Sequence, residues 1–182
     1  MPSDTLYALS AAASDAEAVR RVFDVKGREG GRPLPLFVSD VAMAERIGVL
    51  DARSRRLAAK FWPGQLTLVV KKQPGYASDA LAGGDTVGLR VPDNAIALAV
   101  IEGTGDAVTG TSANLSGGSD PVSADEVRRQ IGDRLDLILD AGPARIGVAS
   151  TIVDCTGDQP QILRAGAISA EAIAEALAEA GE

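Results

Sequence analysis

Apolar positions along the chain recur in two rhythms, and the switches between them divide it into helices and strands. Ser14-Asp15-Ala16-Glu17 has the form of a capping box, and Ala18, Val19, Val22, Phe23 and Val25 follow at helical spacing until Gly27. An extended run covers Pro33 to Val38. Helical patterns follow from Ser39 to Ile47 and from Asp51 to Phe61, the second ended by Trp62-Pro63-Gly64. Leu66 to Val70 and Thr86 to Val91 have the composition of strands. A helix from Asn94 to Glu102 precedes a strand from Ala107 to Thr109, which runs into a polar loop. Ser123-Ala124-Asp125-Glu126 is a second capping box, opening a helix to Leu135. Asp136 to Leu139 and Ser150 to Cys155 are expected strands, the latter turning through Thr156 to Pro160 into Gln161 to Arg164 as an antiparallel hairpin. From Ser169 the tail has Ile173, Ala174 and Leu177 on one side and glutamates at 171, 175 and 179 on the other, the pattern of a surface helix. Strands interleaved with helices, plus a late hairpin, predict an α/β fold: a single domain with a twisted mixed parallel and antiparallel sheet flanked by helices.

Composition narrows the chemistry. The chain has 182 residues, no histidine and one cysteine. A Ser-His-Asp triad, a Cys-His pair and a histidine-ligated metal are therefore excluded. Cys155 ends an apolar stretch and reads as a small buried hydrophobe, and no intrachain disulfide can form. No apolar run reaches the length of a membrane span, and the N-terminus lacks an export signal, so a cytoplasmic protein is expected. A formal charge of −7 argues against a surface that coats nucleic acid, so a polyanionic ligand would have to meet a local pocket.

Four polar islands stand at the edges of apolar runs. Lys26 and Arg28 flank Gly27 at a helix exit, where they are either a solvated cap favoured by the helix dipole or ligands for an anion. Gly110 to Gly118 is a strand-to-loop passage rich in donors, with Thr111, Ser112, Asn114 and Ser116; it matches neither the Walker nor the dinucleotide pattern, and is either an oxyanion cradle or a plain polar turn. Gly147 to Val153 and Ile162 to Ile168 complete the set. Arg90 lies inside an apolar strand, so it either snorkels at an edge or faces an anion in a cleft.

The ordered motifs Pro2 to Leu9, Lys26-Gly27-Arg28, Arg32 to Leu34, Phe61 to Gly64, Val87 to Pro92, Ser112 to Gly117, Ser150 to Asp154 and Leu163 to Gly166 resemble those of the YrdC family, the threonylcarbamoyl-AMP synthases, over nearly the whole chain. The resemblance implies an enzyme that joins L-threonine, bicarbonate and ATP into L-threonylcarbamoyl-adenylate and releases pyrophosphate, with Mg2+ accompanying the ATP and no protein-built metal cage. A tRNA-modifying threonylcarbamoyl-transfer complex would be its partner, and a direct tRNA contact is conceivable on the same grounds. By position, Lys26, Arg28, Ser112 and Asn114 match the family's signature residues. Thr5, Arg90, Thr111 and Ser150 match its threonine contacts; Lys26, Arg28, Arg32, Thr86, Ser112, Asn114, Asp120 and Arg164 match its ATP contacts, with Ser119 the alternative to Asp120.

Three departures from the family pattern stand out. The Pro-Ser-Asp-Thr segment follows Met1 directly, so residues 1–182 are expected to form the family domain without its usual N-terminal helix and strand. Phe37 stands where many relatives have histidine, replacing a polar contact with an apolar wall. Ala8 stands where glycine is usual. Two other functions compete: a non-catalytic module binding double-stranded RNA or tRNA by shape, for which the low aromatic content is no obstacle, and a carbamoyl-transfer domain like that of hydrogenase-maturation proteins. The latter is disfavoured because the chain lacks their zinc-binding cysteines and acylphosphatase domain.

Overall fold

The computed structural model describes residues 1–27 and 32–178. In chain order its elements are β1 (Ala8–Leu9), α1 (Ala16–Lys26), β2 (Leu36–Phe37), α2 (Val41–Ile47), β3 (Gly48–Val49), α3 (Ala52–Phe61), β4 (Leu66–Lys72), β5 (Thr86–Arg90), α4 (Ala95–Thr104), β6 (Val108–Thr109), β7 (Thr111–Ser112), α5 (Ala124–Ile131), β8 (Thr151–Asp154), β9 (Gln161–Arg164) and α6 (Ala170–Ala178). Short 3-10 turns lie at Asp79–Leu81 and Gly132–Arg134.

The helix starts obey local chemistry. Asp15, Asp40, Asp51, Asn94 and Ser123 each accept a backbone N–H of the first turn, covering donors the helix cannot satisfy itself. The first cap is thus Asp15, not Ser14: the carboxylate one residue later takes the role. At the second capping box Ser123 behaves as expected, but the Glu126 carboxylate accepts the N–H of Val122, one residue earlier than the box predicts. Gly27 ends α1 in the left-handed conformation at φ 58°, which a side chain would resist.

Seven strands form one mixed sheet in the order β6-β2-β5-β4-β8-β9, with β3 pairing the end of β4. β2–β5 and β4–β8 run parallel; β4–β5, β2–β6 and β8–β9 run antiparallel. This is the mixed α/β sheet expected, with the predicted hairpin at its β8–β9 edge. The central strands alternate as buried pleats should: Leu66, Leu68 and Val70 of β4 and Val87 and Leu89 of β5 are all sealed in the core. α6 packs against α3; of the stripe its spacing predicted, Ile173 is buried and Leu177 half-buried, but Ala174 is exposed and Ala176 takes its place in the core.

One expected strand is absent. Residues 136–139 form no ladder, and α5 ends at Ile131, its expected last turn to Leu135 being a 3-10 turn over Gly132–Arg134. Their apolar alternation is genuine, but Leu137 is exposed and no described strand offers them a hydrogen-bonding edge. Conversely, the polar loop after β6 contains β7, which pairs antiparallel with β1 through Ala8↔Ser112 and Leu9↔Thr111. That small ladder brings the N-terminal segment to the polar loop, and backbone bonds from Ala113 N to Tyr7 O and from Tyr7 N to Pro121 O extend the join.

Candidate active site

Two polar clusters form where the N-terminal segment crosses the sheet. The first is built on Lys26. At the end of α1 its backbone is capped by Gly27, while its side chain is buried. The ammonium donates to Ser112 O at 2.6 Å, to Asn114 O at 3.1 Å and to Asn114 Oδ1 at 3.1 Å. Ser112 Oγ donates to the same Asn114 Oδ1 at 2.8 Å, and Asn114 Nδ2 donates to Gly118 O and Ser119 O. The solvated-cap alternative for Lys26 is thereby corrected: the dipole-favoured cation is drawn inward by carbonyl oxygens of the 112–119 loop. Buried polar groups need such partners, and every hydrogen-bonding atom of the Asn114 amide has one. The loop is an organised structure, not a plain turn.

The second cluster surrounds Arg90, which lies at the end of β5 with a side chain 3% exposed. It does not snorkel at an edge, since β5 is a central strand and the protein itself holds the guanidinium. Nε donates to Gly64 O at 2.7 Å, Nη1 to Thr5 Oγ1 at 2.8 Å and Nη2 to Asp4 Oδ1 at 2.5 Å. Asp4 is fully buried. Its second oxygen accepts from Gln65 Nε2 at 3.0 Å. Ser3 Oγ donates to Leu6 O and shares a bond with Thr5 Oγ1, so the Thr5 hydroxyl donates to Ser3 and accepts from Arg90. Burial pulls the Arg90 guanidinium below its ordinary value, with Asp4 pulling back upward and Arg164 adding repulsion. An arginine stays charged under such shifts.

Phe37 closes one side of this cluster. Its ring centroid lies 5.3 Å from the Arg90 guanidinium carbon, within cation–π range. The ring also lies against Gly110, where an added Cβ would fall 2.3 Å from it. The apolar wall expected at Phe37 is present, and it requires a glycine at the mouth of the polar loop.

Ser150 and Arg164 form a third cluster. Arg164, on the edge strand β9, donates from Nη2 to Ser150 O at 2.7 Å and to Ser150 Oγ at 3.0 Å; Ser150 Oγ also shares a 2.9 Å bond with Thr67. The chain can reach this point because residue 166 is glycine, whose Cβ would fall 2.4 Å from Ala149 O. Arg164 is lowered by burial and raised by nearby Asp120, which follows the Ser119 carbonyl bound by Asn114. Three hydrogen-bonded groups result, Lys26–Ser112–Asn114, Arg164–Ser150–Thr67 and Arg90–Asp4–Thr5, and Arg164 is close enough to feel the charges of both Asp120 and Arg90.

Other candidate residues lie apart from these clusters or outside the described residues. Thr111 is buried in β7, and alternation sends its side chain to the face opposite Ser112. Thr86 begins β5, roughly 13 Å from Arg90 along the strand. Arg32 is exposed. Arg28 lies outside the described residues. Asp4, Gln65 and Thr67 have no signal of their own in the sequence. An arginine in an apolar strand does demand a buried carboxylate, however, and Asp4 is next to a candidate site residue. Cys155 is buried, with burial pushing its thiol up to about 12, so it stays protonated and inert. Among the described residues there is no group of three or more His, Cys, Asp or Glu placed to hold a metal ion, and no helix long and apolar enough to cross a membrane.

The Sua5/YciO/YrdC family model, described as telomere recombination, matches residues 1–166. The chain is 37% identical over 174 residues to the threonylcarbamoyl-AMP synthase of Bacillus subtilis strain 168, an alignment covering 94% of this chain and 50% of that protein. The crystal structure of Pyrococcus abyssi Sua5 complexed with L-threonine superposes with a TM-score of 0.93 at 37% identity, covering 98% of this chain and 53% of that one. Escherichia coli YciO superposes with a TM-score of 0.84 at 27% identity, covering 94% and 84%. The chain thus spans about half the length of the synthase from B. subtilis and of Sua5 from P. abyssi.

Proposed function

The chain belongs to the Sua5/YciO/YrdC family, and from that premise we propose that it is an L-threonylcarbamoyladenylate synthase, forming threonylcarbamoyl-AMP and pyrophosphate from L-threonine, bicarbonate and ATP. The observation that carries the reading is that Arg164, bonded to Ser150, feels the charges of both Asp120, beside the Lys26–Ser112–Asn114 cluster, and Arg90, in the Thr5 cluster. Polar clusters so placed can hold a nucleotide at one and an amino acid at the other. The threonine complex of P. abyssi Sua5 supports the choice of amino acid.

The chemistry suits a site without histidine. A threonine amine and bicarbonate give a carbamate and water, and a carbamate oxygen attacks the α-phosphorus of ATP, displacing pyrophosphate. No protein nucleophile is needed, so the protein's work is positioning and charge stabilisation. Arg90 takes the threonine carboxylate, with Thr5 and Ser150 at its side and Phe37 as the apolar wall. Lys26 shapes the 112–119 loop around the nucleotide, Ser112 and Asn114 present its polar groups, and Arg164 lies between the two substrates to offset charge on the phosphates. Arg28, Arg32, Thr86, Asp120 and Thr111 are assigned by family position, Thr111 to the threonine side and the others to the nucleotide. Mg2+ would be carried chiefly by the ATP phosphates and water; it would neutralise phosphate charge, with Asp120 a carboxylate the cluster can offer. The product would pass to a tRNA-modifying threonylcarbamoyl-transfer complex.

The test is pyrophosphate release by the purified protein with ATP, bicarbonate and magnesium, with and without threonine. Threonine-dependent release supports the synthase. A folded protein that releases none, yet binds double-stranded RNA with an affinity that collapses as salt rises, would replace the reading with an RNA-binding module.

A further inference from the structure

The residues assigned to the substrates leave one buried charge without a role. Asp4 is completely enclosed, and its carboxylate is spent on two partners: Oδ1 on Arg90 Nη2 at 2.5 Å and Oδ2 on Gln65 Nε2 at 3.0 Å. Burying a carboxylate is unfavourable, so a residue kept in this state must return something for it. The Asp4 backbone is fixed as well, its carbonyl accepting Ile146 N at 3.0 Å while that of Thr5 accepts Gly147 N at 3.0 Å. The 146–147 turn leads directly to Ser150, so the segment holding Asp4 is tied to the loop supplying Ser150.

Arg90 has five N–H donors. Gly64 O, Thr5 Oγ1 and Asp4 Oδ1 take one each from Nε, Nη1 and Nη2. One N–H on each terminal nitrogen therefore has no partner among the described residues, and a substrate carboxylate has two oxygens to accept them. The three protein contacts and the Phe37 ring leave the guanidinium little freedom to turn. Of these, Asp4 is the charged one, and Gln65 is what holds Asp4.

We infer that Asp4, braced by Gln65, is the positioning residue that aims Arg90 at the α-carboxylate of the amino-acid substrate. The inference rests on the synthase reading for the identity of that substrate. Asp4 touches no reacting atom; it acts through Arg90. Its loss should therefore appear in recognition of the amino acid and leave recognition of the nucleotide in place.

The experiment compares the full chain with Asp4→Asn and Gln65→Leu variants. Threonine binding is measured by calorimetry without ATP, and KM for threonine and for ATP by pyrophosphate release. Asp4→Asn keeps the shape and removes the charge; it should weaken threonine binding and raise its KM roughly tenfold to a hundredfold, the scale on which small misplacements act. KM for ATP should stay within about twofold. Gln65→Leu leaves the ion pair but frees the carboxylate to swing, and should shift threonine in the same direction by about threefold, again by misplacement. A merely structural role would lower the melting temperature and the active fraction without moving the threonine KM, and that result would overturn the inference. If Asp4→Asn does not fold, Gln65→Leu decides alone, and an unchanged threonine KM there overturns it. A wild-type chain that neither binds threonine nor releases pyrophosphate would overturn the synthase reading itself, and this inference with it.

Discussion

Arg90 and Arg164 present two ways of holding a cation in one site. Arg90 stands at the end of a central strand, sealed from water, with a buried carboxylate, a hydroxyl, a carbonyl and an aromatic ring fixing it. Arg164 stands on an edge strand whose residues are all exposed, and it grips a single residue, Ser150, by its carbonyl and hydroxyl. The difference lies in what each position must compensate. A central arginine is tolerated only with its counter-charge built in, so its site is part of the fold; an edge arginine that keeps part of its surface in water can be spent on substrate. Loss of the first should harm stability and activity together, and loss of the second should harm activity alone.

The harshest test of that division is Arg90→Ala. It strands Asp4 as a buried, unpaired carboxylate, which costs about 3–5 kcal/mol, or a fall in melting temperature on the order of 10 °C for a chain of this size. Threonine-dependent pyrophosphate release should fall by about 100-fold or more. A variant that melts like the wild type would show that the ion pair contributes nothing to the fold.

Lys26→Met comes next. The ammonium is buried like Arg90, but its described partners are neutral oxygens of Ser112 and Asn114. Each oxygen left unsatisfied costs about 1–3 kcal/mol unless water reaches it, and the half-exposed Ser112 side of the loop admits water. KM for ATP should therefore rise, because the 112–119 loop loses its anchor. An unchanged KM for ATP would sever the loop from the nucleotide.

Arg164→Ala should separate the two effects completely. Water can take over its bonds to Ser150, so the melting temperature should change by no more than about 2–4 °C, the equivalent of one ordinary hydrogen bond. Pyrophosphate release should still fall on the order of 100-fold. A large loss of stability would place Arg164 with Arg90 as part of the fold.

The same contrast explains what could be read from the sequence. Helices, central strands and the β8–β9 hairpin follow from periodicity and caps, because each is decided by its own residues. The mixed sheet follows from their order. Arg90 was conspicuous as a charge in an apolar strand, yet its partner Asp4 lies 86 residues away and nothing local joins them. Lys26 read as a cap because the sequence shows the helix end but not the carbonyls of the 112–119 loop folding over it. Residues 136–139 failed the other way, having a strand's pattern without an edge to pair with. Short ladders such as β1–β7 have too few residues to show a period at all.

The smallest expected effect is a control at a helix cap that bonds to neither Arg90 nor Arg164. Asp51 caps α3, accepting Ser54 N at 2.8 Å and Ser54 Oγ at 2.8 Å on one oxygen and Arg53 on the other. Burial alone would raise its carboxyl, but the Ser54 and Arg53 bonds outweigh burial and hold it below its usual 3.8. A carboxyl lowered on folding stabilises the protein above its unfolded value, and that stability is lost as pH falls through the folded one. Asp51→Ala should therefore cost about 1 kcal/mol near neutral pH, as removed caps do, and leave pyrophosphate release unchanged. Below about pH 3.8 the variant and wild type should converge in melting temperature as the wild-type carboxyl protonates. Should Asp51→Ala cost as much as Arg90→Ala, the fold would depend on its caps as heavily as on the buried ion pair, and the distinction between centre and edge would lose its energetic basis.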